Sequence, residues 1–118
     1  MYTILLVDDS SFIRKWITGI LRGSKYKVIA EAPNGRDAIL KYHSHHPDIV
    51  IMDVAMDEMD GVQALHLLVK LFPDVKVVMC SSLGQRSYIK ECLKIGAKDF
   101  IVKPNFKDLI TVLNKVVA

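Results

Sequence analysis

Three things are scarce in this chain: cysteine, long apolar runs and net charge. There are two cysteines among 118 residues, Cys80 and Cys92, and both sit inside apolar segments. That pattern speaks against a disulfide-stapled scaffold and for two buried thiols in a reducing compartment. No apolar run reaches the ~20 residues needed to span a membrane. The apolar start "MYTILLVDD" meets two aspartates too early for a secretory leader. The expectation is a soluble, cytoplasmic protein with no membrane insertion. A net charge of +3 is too slight to argue for direct nucleic-acid binding.

What remains is ordinary folded-protein composition, 51% hydrophobic and 25% charged, which excludes a disordered chain. The length suits one domain with a real core, and residues 1–118 are expected to form it. Two kinds of segment alternate. Short runs rich in Val, Ile and Leu lie at Ile4 to Val7, Lys27 to Ala30, Ile49 to Met52, Val75 to Met79 and Phe100 to Val102. Near-continuous apolar runs of this length suit strands covered on both faces. Between them lie segments with helical spacing. Phe12, Ile13, Trp16, Ile17, Ile20 and Leu21 form one stripe; Ala38, Ile39 and Tyr42 form a weaker one. Val62, Leu65, Leu68, Val69 and Phe72 form a third, Ile89, Cys92 and Leu93 a fourth, and Leu109, Ile110, Leu113, Val116 and Val117 a fifth. Ser10 or Ser11 is placed to cap the first helix, Asn34-Gly35 opens the second, and Gly96 suits a C-cap. Pro47 and Pro73 follow helix ends. Five strand–helix repeats imply an α/β fold, a parallel sheet with helices on both faces.

The polar residues fall at particular places in this pattern. The first strand ends in Asp8-Asp9, the third in Asp53, the fourth in Ser81-Ser82 and the fifth in Lys103-Pro104. In an open parallel sheet all C-terminal strand ends share one edge, and ligands bind in the crevice outside it. Three carboxylates, a hydroxyl and an ammonium therefore converge. Taken singly, each has a plain structural reading: a helix N-terminal acidic pair, a strand-end aspartate, an unremarkable serine, a Lys-Pro turn. Taken together they point to a site. Crowded carboxylates repel and need cations. Lys103 supplies one positive charge. An oxygen-only site with room for water favours magnesium for the rest. A phosphoryl group on one carboxylate would find metal, lysine and a serine hydroxyl for its oxygens.

At these residues the chain resembles the receiver domain of two-component response regulators, over essentially its whole length. It is most similar to single-domain chemotaxis regulators of the CheY type. The resemblance is carried by "ILLVDDSSFIRK", "PDIVIMDVAMDEMDG", "VVMCSSLGQ" and "GAKDFIVKP". It implies a flavodoxin-like (βα)5 fold with strand order 2-1-3-4-5. It implies that Asp53 accepts a phosphoryl group from a sensor histidine kinase or phosphotransfer protein. It further implies that Asp8, Asp9, Asp53 and the Ala55 backbone carbonyl hold Mg2+, that Lys103 binds phosphate and that Ser81 and Phe100 switch. The Lys103–Pro104 bond is expected to be cis. The output would be affinity for a protein target through the fourth helix, fifth strand and fifth helix, roughly Tyr88 to Val117. Flagellar motor control is one such output, with a monomer or a weak phosphorylation-dependent dimer as the working form. Two further readings share the resemblance: a receiver cut from a larger regulator with a DNA-binding output, and a phosphorelay intermediate. An aspartyl-phosphate hydrolase fits poorly, because such enzymes place a second aspartate two residues after the nucleophile and carry a cap domain. Here that position is Ala55. The expectation is a switch and not an enzyme.

Other features depart from the family pattern or stand outside it. Asp57 replaces a usual proline, which suggests a looser loop with the acceptor chemistry retained. The acidic run "DEMD" does not match a calcium-loop spacing. Ala55 and Leu83 offer no side chain to orient water, which suggests slow loss of a phosphoryl group. Asn105 stands where phenylalanine is common, and Phe106 comes one later. Trp16 is read as packing at or beside the core stripe. His43 and His46 lie one helical turn apart and suit either a metal or an exposed helix end. Met52, Met56, Met59 and Met79 are read as fillers of gaps in the core and at the site rim, and Lys90 and Lys94 as a solvated face or a partner surface.

Overall fold

A computed structural model describes residues 1–82 and 85–118. Strands and helices alternate along them: β1 (Tyr2–Val7), α1 (Ser11–Leu21), β2 (Tyr26–Ala32), α2 (Gly35–His45), β3 (Ile49–Asp53), α3 (Gly61–Leu71), β4 (Val77–Ser81), α4 (Arg86–Ile95), β5 (Asp99–Val102) and α5 (Leu109–Val117). All pairings are parallel, and the sheet order is β2-β1-β3-β4-β5, the flavodoxin-like order.

Strand side chains alternate between two cores, as the two-residue period of a strand requires. Ile4, Leu6, Ile49, Ile51, Val78, Cys80 and Ile101 face α1 and α5, where Ile17, Leu21, Leu109, Val112 and Leu113 cover them. Leu5, Val7, Val50, Met52, Val77 and Met79 face the other way, against Ala38 and Tyr42 of α2, Leu65 and Leu68 of α3 and Cys92 of α4. Both faces are buried, so the central strands have no polar alternation. Each buried aliphatic side chain contributes about 1.5–3 kcal/mol of transfer free energy.

The helix starts follow the cap residues. Ser10 Oγ accepts from the Ile13 N–H at 3.2 Å, Asn34 Oδ1 from Asp37 at 2.8 Å and Asp60 Oδ1 from Gln63 at 2.9 Å. Each such cap stabilises by about 1 kcal/mol.

Three expectations need correction. The fourth strand begins at Val77, not Val75, because the Val75 N–H turns back to the Phe72 carbonyl at 2.9 Å. Phe12 is 69% exposed and Trp16 41%, although both lie on the apolar stripe of α1. Ile13, Ile17, Ile20 and Leu21 already fill the width facing the sheet, so the two aromatics stack along its border. Trp16 still packs edge-on against buried Phe106, with ring centres 5.3 Å apart. Leu93 is exposed because Ile89 and Cys92, three apart, take the inward row of α4.

One glycine decides how closely α3 approaches the end of β3. A Cβ at Gly61 would lie 2.0 Å from the Asp53 carbonyl oxygen and 2.9 Å from the Val54 Cα. The Gly61 N–H donates to the Val54 carbonyl at 2.8 Å. Both obstacles are backbone, so an added methyl has nowhere to go. Gly61→Ala is therefore expected to destabilise the protein by about 1–3 kcal/mol. A lower midpoint in urea unfolding checks this; an unchanged midpoint overturns the close-approach argument.

Candidate functional site

Register and pleat parity bring the strand-end residues together. Val7 pairs with Met52, and Asp53 with Cys80. Leu6, Ile51 and Ile101 point to the α1/α5 face. Two positions on from each, Asp8, Asp53 and Lys103 project from the same face and meet beyond the sheet edge. Ser81 and Phe100 have the opposite parity, on the α4 side. Ser81 is fully buried as the last residue of β4, whereas Phe100 is 36% exposed on β5.

Lys103 is the hub. Its Nζ donates to Asp53 Oδ2 at 2.9 Å and to Asp8 Oδ2 at 3.3 Å. Asp8 and Asp53 are both buried, and Asp9 beside them is exposed. Asp8 Oδ1 accepts from the Ser10 N–H at 2.9 Å. Two buried atoms have no partner among the described residues: Asp53 Oδ1 and Ser81 Oγ. The Lys103–Pro104 bond is cis.

Burial pushes the Asp53 carboxyl above the usual carboxylate range. The Lys103 hydrogen bond and charge pull it down, Asp8 pushes it up and the Ala55 backbone pulls it down; the net direction is upward. Burial pulls the Lys103 ammonium down, but its hydrogen bond to Asp53, the charges of Asp53 and Asp8 and its bond to Asp8 outweigh this and raise it. Cys80, directly across from Asp53, is pushed up to about 12, first by burial and then by the Asp53 charge.

One oxygen from each of Asp8, Asp9 and Asp53 lies within 4.8 Å of the others. Three carboxylates, one with a buried oxygen lacking a partner, form an oxygen-only donor set, and such sets suit a hard divalent cation. Magnesium therefore fits the residues present. This is the one group of three potential metal ligands among the described residues. His43 and His46 instead pack their rings near Phe72 at the end of α2, with His46 as its left-handed C-cap.

The loop after β3 is tied to the start of α2 at two adjacent residues. Asn34 Nδ2 donates to Glu58 Oε2, and the Gly35 N–H to the Met59 carbonyl, each at 2.8 Å. Asp57 is exposed and takes no part in these bonds. Ala55 is exposed as well, beside a cavity of about 430 Å³ lined by residues including Met56, Gln85 and Tyr88. Leu83 lies outside the described residues.

Two participants escape a residue-by-residue reading of the sequence. Arg14 donates through Nη1 to the Asp8 carbonyl, and its Nε pairs with Glu31 at 2.8 Å. Cys80 underlies the site as a neutral thiol. The position of Arg14 on the turn of helix after the acidic pair was the available signal for the first.

Residues 4–114 match the family model described as the response regulator receiver domain. The chain is 44% identical over 114 residues to the chemotaxis protein CheY of Thermotoga maritima, covering 96% of this chain and 95% of that one. It is 47% identical over 104 residues to the CheY of Listeria monocytogenes, covering 88% and 87%. Among solved structures it is similar to the CheX–CheY–BeF3–Mg2+ complex from Borrelia burgdorferi, with a TM-score of 0.93, 35% identity and coverage of 99% and 90%.

The raised Asp53 carboxyl has a consequence for stability. A carboxyl that binds its proton more tightly when folded makes the fold less stable as pH rises from the unfolded value through the folded one. Asp53→Asn removes the buried charge and its repulsion with Asp8. The variant is expected to melt at a higher temperature than wild type at pH 7, with the gain shrinking as pH falls toward 4. Calorimetric melts at both pH values check this; a variant less stable at pH 7 overturns it.

Proposed function

Because the chain belongs to the response regulator receiver domain family, we propose that it is a cytoplasmic phosphorylation switch in which Asp53 takes a phosphoryl group from a kinase phosphohistidine. The observation that carries this reading is the Lys103 ammonium held between Asp53 and Asp8, with Asp53 Oδ1 left unpaired. A carboxylate is a weak nucleophile, but phosphoryl transfer through a loose transition state asks mainly for alignment and charge neutralisation. Asp53 Oδ1 forms the new P–O bond as the P–N bond of the phosphohistidine breaks, and the imidazole leaves with the bonding pair. Lys103 on Oδ2 keeps the carboxylate aligned and neutralises charge that develops on the phosphoryl oxygens.

Asp8, Asp9, Asp53 and the Ala55 carbonyl would hold Mg2+, which supplies further neutralisation of the phosphoryl charge. Ser81 Oγ, buried and without a partner, is a ready donor for a new oxygen on Asp53. Phe100 lies two residues before Val102, the residue paired with Ser81, and is partly exposed, so an inward turn of its ring would follow a shift of Ser81. A local charge change thereby reaches α4, β5 and α5, the surface proposed to meet a protein target. The CheX complex of the Borrelia relative supports a protein as the kind of partner, and the CheY relatives support chemotaxis as the setting. Ala55 in place of a second aspartate supports a switch over a hydrolase.

Two measurements test this. Acetyl phosphate with Mg2+ is expected to label wild type and not Asp53→Asn; full labelling of the variant overturns the acceptor assignment. Ala55 has open space beside it and no polar side chain to orient water. Ala55→Asn is therefore expected to lose its phosphoryl group several-fold faster than wild type in a pulse–chase. No acceleration sinks the argument that residue 55 limits water attack.

A further inference from the structure

Arg14 is a charged side chain, largely buried, that touches neither the acceptor carboxylate nor any proposed ligand atom. It reaches instead to the peptide between the two acidic residues. Its Nη1 donates to the Asp8 carbonyl, and its Nε pairs with Glu31 Oε1 at 2.8 Å. The Asp8 carbonyl lies in the peptide plane that leads into Asp9, so the donor fixes the direction from which the Asp9 side chain starts. Asp8 itself is held from three other sides: its N–H donates to the Ala32 carbonyl at 3.0 Å, Oδ1 accepts from Ser10 and Oδ2 from Lys103. Among the described residues nothing supports the exposed Asp9 carboxylate in this way, and its placement depends on the backbone before it.

We infer that Arg14 is a positioning residue for divalent-cation binding, orienting Asp9 through the Asp8 carbonyl while Glu31 of β2 holds the guanidinium in place. This rests on reading Asp8, Asp9 and Asp53 as a cation site. The role of Glu31 is twofold. It anchors Arg14, whose stem rises from the second turn of α1, and it neutralises a positive charge that would otherwise oppose a cation nearby. Arg14 thereby contributes geometry without adding to the positive charge of the site. Outer groups that orient metal ligands typically change affinity by about 10–100-fold when lost.

The sign of the effect separates geometry from charge. If Arg14 acted only as a nearby cation, removing it would tighten metal binding. If it only supported the fold, affinity would not move in variants that melt normally. As a positioning group, its loss weakens binding. The experiment uses Mn2+ as the probe, with free Mn2+ counted by electron spin resonance and Mg2+ added as competitor. Arg14→Ala is expected to bind about tenfold more weakly. Arg14→Lys, which keeps a donor for the Asp8 carbonyl, is expected to recover part of that loss. Glu31→Ala, at an exposed position that the fold tolerates, is expected to weaken binding several-fold. Unchanged or tighter binding in Arg14→Ala overturns the inference, as does Arg14→Lys binding no better than Arg14→Ala. If Arg14→Ala does not fold, Glu31→Ala decides alone, and unchanged binding there overturns it. Wild type that holds no Mn2+ overturns the cation site itself, a different failure from a wild type that binds and variants that bind equally.

Discussion

The ammonium of Lys103 is the constraint on which the rest of this edge depends. Two carboxylates from β1 and β3 are brought within its reach in a buried place, where each alone would repel the other and lose its hydration. The lysine joins residues 95 and 50 positions away in sequence, so one side chain stitches the ends of three strands. Loss of the ammonium would leave two buried carboxylates without a counter-charge; such a loss in a fully buried pair costs about 3–5 kcal/mol, and the cost here is lower because the ammonium keeps some water. Two of the sheet's neighbours, β1 and β3, place their carboxylates side by side, while β5 sends its lysine across the end of β4. The crossing carries the lysine over buried Cys80, while Ser81, also buried, faces the α4 side.

The ground state is thus poised. Asp53 has one oxygen engaged and one without a partner, and Ser81 has a hydroxyl in the same condition. Buried polar atoms left in this state are costly, and a fold retains them where something else comes to meet them. The surrounding frame does not share that poise. Gly61 locks the start of α3 against the Asp53 backbone, and the tie from Asn34 and Gly35 closes the loop after β3 onto the start of α2. The Asp53 side chain therefore sits in a stiff mount, and the loosely satisfied atoms are confined to side-chain ends.

Much of this was legible in the sequence, for stated physical reasons. Apolar runs such as Ile49 to Met52 are continuous because both sheet faces are covered, and that continuity named the parallel sheet. The site residues stood out because four of the five strands ended on a polar group. Other features left no such trace. The contact of Arg14 with the Asp8 carbonyl joins a side chain to backbone, and any residue at position 8 would offer the same carbonyl. Gly61 is one glycine among six until the approach of α3 is known. Phe12 and Trp16 obey helical spacing, but spacing does not distinguish the centre of a stripe from its border. Val75 has the residue type of a strand and spends its N–H on a turn.

Cys80 carries a consequence of another kind. It faces Asp53 across the sheet, and a thiolate is a far stronger nucleophile than a carboxylate. With its pKa pushed up to about 12, the thiolate fraction at neutral pH is roughly one in 10⁵. Burial first, and the charge of Asp53 second, keep the sulfur beside that carboxylate protonated. The stronger nucleophile at this edge is thereby held in its unreactive form by its place inside the sheet, so that nucleophilic chemistry here would fall to an oxygen and not to the sulfur.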